Sequence, residues 1–201
     1  MDIKSEVELK FAADSVMKQK FMEVIHQLYD AKAPTFAYKT VSGTDKYYRN
    51  AAGTKLRHRC DGSRKTSVLT WKDRKSDASI ADRHEIDLPI DPSVQGGELV
   101  DAFLTATGWN LHFSIFKISY IFHVEDVTGA RFCIALYDVY KDEYDEYDKP
   151  RRFLEIEVEK DNSFSPEIAM VKLHEQAMWL IGAFGLGEPL NQSLAEIYAP
   201  K

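Results

Sequence analysis

The chain has 201 residues, 44% of them hydrophobic and 29% charged, a balance that excludes a disordered or membrane-embedded polypeptide and suits one large soluble domain over residues 1–201. A formal net charge of -6 argues against nonspecific binding to a polyanion, so no nucleic-acid partner is expected, but a small anion could still be held in a local basic pocket. Cys60 and Cys133 have no metal-ligand spacing, the N-terminus has no apolar stretch of signal length and no apolar run approaches membrane-spanning length, so a cytoplasmic protein without a membrane partner is expected.

The first strand signal is Glu6-Val-Glu-Leu-Lys10, which alternates charged and aliphatic residues. Glu6, Glu8 and Lys10 therefore share one face, and Val7, Leu9 and Phe11 the other. Asp14 or Ser15 can cap a helix over about residues 15–30, with Val16, Phe21, Val24, Ile25 and Leu28 as its apolar stripe and Ala33-Pro34 ending it. Residues 37–48 read as a strand pair or a strand and loop, with a turn at Ser42-Gly43.

Ala52-Gly53 turns the chain into a strand over residues 54–60, with Arg57 and Arg59 on one face and Leu56 and His58 on the other. Asp61-Gly62-Ser63 is a hairpin turn, and the return strand over residues 66–72 sets Thr70 and Lys72 against Leu69 and Trp71, the tryptophan being core. The strand over residues 83–88 sets Arg83, Glu85 and Asp87 against His84, Ile86 and Leu88, and Pro89 and Pro92 stop it. A short helix is expected over residues 97–107, with Gly108 as its left-handed end.

The clearest alternation runs over residues 116–125 and carries Lys117 and Ser119. The turn at residues 126–129 leads into a strand over residues 131–140 that carries Asp138, and the acidic run 142–148 reads as a solvated loop. The last strand, residues 153–160, sets Glu155, Glu157 and Glu159 against Leu154, Ile156 and Val158. Ser165-Pro166 opens a helix that ends at Gly185, and a short helical tail covers about residues 191–198.

Each strand taken singly could be half-solvated, but the signs segregate: the first and last strands are acidic, and the middle strands carry Arg57, Arg59, Lys72, Arg83 and Lys117. About eight strands closed into a barrel would turn one face of each inward and leave the apolar faces for the helices to cover. The fold class expected is α+β, mainly antiparallel β, as a closed tunnel with a charged lumen. Carboxylates gathered in a lumen need a counter-ion, for which hard oxygens favour Mg²⁺ or Mn²⁺, and guanidinium forks and lysines bind phosphate oxygens.

Taken together, these residues resemble the CYTH superfamily of triphosphate tunnel metalloenzymes, which includes class IV adenylate cyclases and thiamine triphosphatases. Glu6-x-Glu8-x-Lys10 looks like its opening signature, followed in family order by Asp45-Lys-Tyr-Tyr48, Arg57-x-Arg59, Thr70-x-Lys72, Arg83-x-Glu85, Tyr137-Asp138-Val139 and Glu155-x-Glu157. One departure is Lys117-Ile-Ser119, where the family usually has Lys-x-Arg.

The resemblance implies an eight-stranded antiparallel tunnel and a two-metal mechanism. Glu6, Glu8, Asp138, Glu155 and Glu157 would hold Mg²⁺ or Mn²⁺, and Lys10, Arg57, Arg59, Lys72, Arg83 and Lys117 would clamp the phosphates of a triphosphate-containing small molecule. Lys10, Glu8 and Glu157 would be the catalytic set, Lys10 orienting the attacking water or balancing the acidic cluster. Hydrolysis of an inorganic or organic triphosphate is the activity expected, with adenylate cyclisation or non-catalytic polyphosphate binding as alternatives and a homodimer compatible with either.

Overall fold

The computed structural model describes residues 4–30, 37–62, 66–74, 82–90, 96–126, 128–141, 149–159 and 164–199. Eight antiparallel strands form it: β1 (Lys4–Ala13), β2 (Ala37–Arg49), β3 (Lys55–Asp61), β4 (Thr66–Arg74), β5 (Asp82–Ile90), β6 (Asn110–Glu125), β7 (Arg131–Lys141) and β8 (Arg151–Val158). They close into a barrel in the order β1-β5-β4-β3-β2-β6-β7-β8. β1 completes the ring by pairing with β5 through residues 4–7 and with β8 through residues 8–13.

The apolar faces of β1, β6, β7 and β8 point outward. Val7, Phe11, Phe122, Phe132, Ile134, Leu136, Leu154, Ile156 and Val158 form the main core there, beneath Met17 and Phe21 of helix α1 (Ser15–Asp30) and Leu173, Ala177, Leu180 and Phe184 of helix α3 (Pro166–Phe184). Phe21 is the centre of this layer, with its ring edge-on to Phe122 and Phe184 at 5.1 Å. Burying each such side chain contributes on the order of 2 kcal/mol, so the helices hold the barrel wall and leave the charged faces to the inside.

Local chemistry sets the helix ends. The Met17 amide donates to Asp14 Oδ1 at 2.7 Å, and Ser165 Oγ accepts from the Ile168 amide at 3.4 Å. Gly185 ends α3 with φ 70°, a conformation that glycine adopts without strain. Helix α2 (Gly96–Ala106) lies against the outside of β2 and β3, where Asp101 accepts from Lys46 Nζ and, at 2.5 Å, from Tyr48 Oη.

Residues 37–48 are neither a hairpin nor a strand and loop. They lie within one strand, β2, and Gly43 sits mid-strand, where an added Cβ would stand 2.3 Å from the Cys60 carbonyl oxygen. Glycine here allows β2 and β3 to approach, not to turn. Pro89 also lies within β5, near its end and opposite Val68. Ala33-Pro34, Ser63, Pro92 and the acidic run 142–148 lie outside the described residues.

The tail after α3 does not stay on the surface. Helix α4 (Leu194–Tyr198), fixed by a Ser193/Glu196 capping box, brings Leu194, with Leu190, Ile197 and Tyr198, onto Ile115, Tyr137, Val139 and Phe153. The Leu190 amide donates to the Lys10 carbonyl at 2.7 Å, in the part of β1 that pairs with β8. No helix among the described residues is long and apolar enough to cross a membrane.

Candidate active site

The barrel encloses a cavity of about 870 Å³. Strand register, not sequence proximity, assembles its charged wall. Glu8 lies directly opposite Glu157 and Lys10 directly opposite Glu155, so the closing pair β1–β8 brings three carboxylates and an ammonium together. Lys10 Nζ stands 3.5 Å from Glu155 Oε2 and 3.9 Å from Glu8 Oε1, with Glu8 and Lys10 both buried. Tyr137 Oη donates to Glu155 Oε2 at 2.6 Å, and burial together with that carboxylate holds the phenol well above its ordinary range.

The basic side comes from β3 and β6. Arg57 Nη2 donates to Thr70 Oγ1 at 3.1 Å and stands 3.5 Å from Glu85 Oε1, and the Thr70 hydroxyl donates to Asp87 Oδ1 at 2.8 Å. Glu85 and Asp87 thus sit beside a lumen cation or its partner. Among the described residues, the buried Nε of Arg57 has no hydrogen-bond partner. Such an unfilled donor in a polar lumen fits an anion.

Arg59 forks onto Asp45, with Nε to Oδ1 at 2.7 Å and Nη2 to Oδ2 at 2.9 Å, and Lys117 Nζ lies 3.1 Å from the same carboxylate. Burial would raise the Asp45 pKa, but Arg59 and Lys117 outweigh it and hold the carboxyl well below its ordinary value. Lys117 is pushed down to about 8, by burial first and then by Arg59, against the attraction of Asp45.

Of the residues expected at the site, Glu8, Lys10, Arg57, Arg59, Lys117, Glu155 and Glu157 all line the one cavity. The side chains of Glu6, Lys72 and Arg83 lie outside the described residues, although backbone register pairs Glu6 with Arg83 and Lys72 with Glu85. Asp138 is the correction. It lies on the outer face of β7 with Phe132, Ile134 and Leu136, paired with Lys18 of α1 and, at 2.8 Å, with Arg152 Nε. The inward position next to it belongs to Tyr137, because residues 133, 135 and 137 are the ones that face the lumen.

Trp71 is a smaller correction: with its cross-strand partner Leu56 it touches the cavity instead of lying in the core. Asp45 and Tyr137 were missed as lumen residues. Counting in twos along β7 from Cys133 through Ala135 reaches Tyr137, whereas Asp45 is joined to Arg59 only by the pairing of β2 with β3. Glu196 of α4 and its N-cap Ser193 were missed as well, and nothing local to the tail marks them as cavity lining.

Outside the barrel, Ser67 Oγ, His58 and Asp101 make a string, 2.7 Å from Ser67 to His58 Nε2 and 3.2 Å from His58 Nδ1 to Asp101. The order is that of a catalytic triad, but His58 is fully buried and Ser67 nearly so, and the string serves to pin α2 to the wall. His123 pairs with Glu159, which is not among the cavity-lining residues.

No protein-family model and no curated protein sequence matches the chain. Solved structures do. The PH1819 protein from Pyrococcus horikoshii OT3 superposes with a TM-score of 0.67 at 20% identity, over 96% of this chain and 97% of that one. HpAC1 from Hippeastrum, described as a candidate adenylyl cyclase with a dominant triphosphatase activity, gives 0.61 at 17% identity over 98% and 95%. The Mimivirus capping enzyme triphosphatase gives 0.54 at 9% identity over 89% and 90%. The chain therefore shares the fold of these proteins, an eight-stranded antiparallel barrel, the architecture that the family resemblance implied.

Proposed function

We propose that this protein is a divalent-metal-dependent triphosphate phosphohydrolase that cleaves the terminal phosphoanhydride of an inorganic or organic triphosphate. The observation that carries the reading is the opposition, across one lumen, of a Glu8/Glu155/Glu157 wall and an Arg57/Arg59/Lys117 wall. The triphosphatase activity of HpAC1 and of the Mimivirus capping enzyme supports hydrolysis over cyclisation.

Among the described residues no three His, Cys, Asp or Glu side chains are already gathered around one point. Glu8, Glu155 and Glu157 nonetheless offer hard carboxylate oxygens from directly paired strands, the chemistry that Mg²⁺ or Mn²⁺ prefers, and Glu6 extends the same face in sequence. Those residues would hold the metal; Asp138, on the outer face, would not. When bound, the metal would neutralise phosphate oxygens and supply an activated water.

The remaining work falls to the chain's own groups. Arg57, Arg59 and Lys117 bind the phosphate oxygens, and Lys72 and Arg83 join them by sequence position. Lys10 fixes the carboxylates of Glu8 and Glu155 and places a positive charge where the terminal phosphate meets the acidic wall.

Orthophosphate and pyrophosphate release should be measured separately from tripolyphosphate, ATP and thiamine triphosphate, with Mg²⁺ or Mn²⁺ and with a chelator. Metal-dependent orthophosphate release is expected. Pyrophosphate and a cyclic nucleotide from ATP would make it a cyclase, and tight binding without turnover a binding module.

A further inference from the structure

Helix α3 is apolar on both sides. Ala169, Leu173, Ala177, Leu180 and Phe184 face the barrel, where the helix covers the outside of β1 and β8. On the opposite side Ile168, Val171, Met178 and Trp179 are each between 49% and 66% exposed. Apart from Val16, the neighbouring helix α1 turns polar residues outward, Gln19, Lys20, Glu23 and Gln27 among them, as a helix facing water does. A helix that is apolar round its circumference calls for cover on both sides, and among the described residues nothing covers the outer side of α3.

The spacing on that side is the spacing of a helix-pairing seam. Ile168, Val171, Glu175, Met178 and Gly182 follow one another at alternating intervals of three and four residues, along about 21 Å of helix, and all five are exposed. Gly182 has no reason within the chain to be glycine. It lies inside the helix, where glycine is less stable than alanine, and among the described residues an added Cβ would meet nothing within 4 Å. A small residue at that place lets a second backbone approach closely.

The seam is also complementary to itself. Its middle residue is Glu175, so a second α3 laid antiparallel about a two-fold axis there sets Ile168 of one copy against Gly182 of the other, and Val171 against Met178. The same operation carries Lys172 of one copy to Glu175 and to the ring face of Trp179 in the other. Lys172 Nζ already stands 3.1 Å from Glu175 Oε2 within one chain, so the two carboxylates at the axis lie between two ammonium groups.

We infer that the outer face of α3 docks a second copy of this chain, as an isologous antiparallel helix pair. Met and Trp, the two most exposed types at the C-terminal half of the seam, are residues that interfaces favour. The face lies behind the barrel wall formed by β1 and β8 and away from the lumen, so the inference does not depend on the activity proposed above.

Sedimentation velocity over about a hundredfold range of protein concentration should show a reversible monomer–dimer equilibrium. Met178→Glu should raise its Kd by about tenfold or more at an unchanged melting temperature, measured where both chains are monomeric. Gly182→Gln should also raise Kd but increase that melting temperature, because glutamine is the better helix former; the opposite signs separate docking from folding. Lys172→Glu should dissociate the dimer, and adding Glu175→Lys to it should recover association. A chain that stays monomeric over the whole range would overturn the inference. So would a dimer that Met178→Glu, Gly182→Gln and Lys172→Glu all leave intact, since it must use another face, and a double exchange no better than Lys172→Glu alone would overturn the antiparallel pairing.

Discussion

With Lys117 clamping phosphate as proposed, the lumen should behave as a proton-linked anion site. Its ammonium is buried beside Arg59 and titrates near 8, against the ordinary 10.5. A polyphosphate in contact with the amine favours its charged form and returns it towards 10.5. The sign follows: below pH 8 Lys117 is charged with or without ligand, whereas above it the empty site has lost a proton that the filled site keeps. Affinity for tripolyphosphate should therefore be flat up to about pH 8 and weaken about tenfold per unit above it.

Calorimetry at pH 9 without divalent metal, in buffers of different ionisation enthalpy, counts the protons. At that pH the empty amine is about one-tenth protonated and the filled one nearly fully so, giving an uptake of about 0.9 proton. The ligand's own ionisation is common to wild type and Lys117→Met, so the difference between the two isolates Lys117. Equal proton counts and parallel pH profiles would refute the assignment of that pKa, and with it the contact between Lys117 and the phosphates.

Glu157→Gln should lower metal-dependent phosphate release by at least about a hundredfold at an unchanged melting temperature; retained activity would remove Glu157 from the metal site. Arg59→Ala should cost roughly 2 kcal/mol in denaturant unfolding because it leaves the buried Asp45 with Lys117 alone, and Asp45→Asn in the same chain should recover part of it; additive losses would show that the two are uncoupled. Gly43→Ala should destabilise by about 1–3 kcal/mol, read as a lower thermal midpoint, since its Cβ would meet the Cys60 carbonyl; no change would mean that the strands part easily there.

Side-chain alternation with a period of two is a local property, and most of the candidate site was legible from it. Glu8 with Lys10, Arg57 with Arg59, and Glu155 with Glu157 each share a face wherever the strand lies. Segregation of acidic and basic strands then pointed to a closed lumen, because a solvated sheet has no need to sort its charges in that way. Even Asp138 could have been placed by counting from Phe132, Ile134 and Leu136, whose bulk marks the face that the helices cover. The motif pulled the reading away from its own parity.

Other features depend on which strands meet, and that is a long-range choice. Asp45 becomes the partner of Arg59 and Lys117 only when β2 is set between β3 and β6. Lys10 sits among carboxylates because β1, the first strand, closes on β8, the last. The tail's passage onto the apolar side chains at one end of the barrel rests on contacts with Ile115, Tyr137, Val139 and Phe153, four residues on three strands that no window of sequence joins. The sequence by itself determined which face each charged residue takes, because the pleat is local; the tertiary structure decided which charges face one another, because strand order and register are fixed by packing across the whole ring.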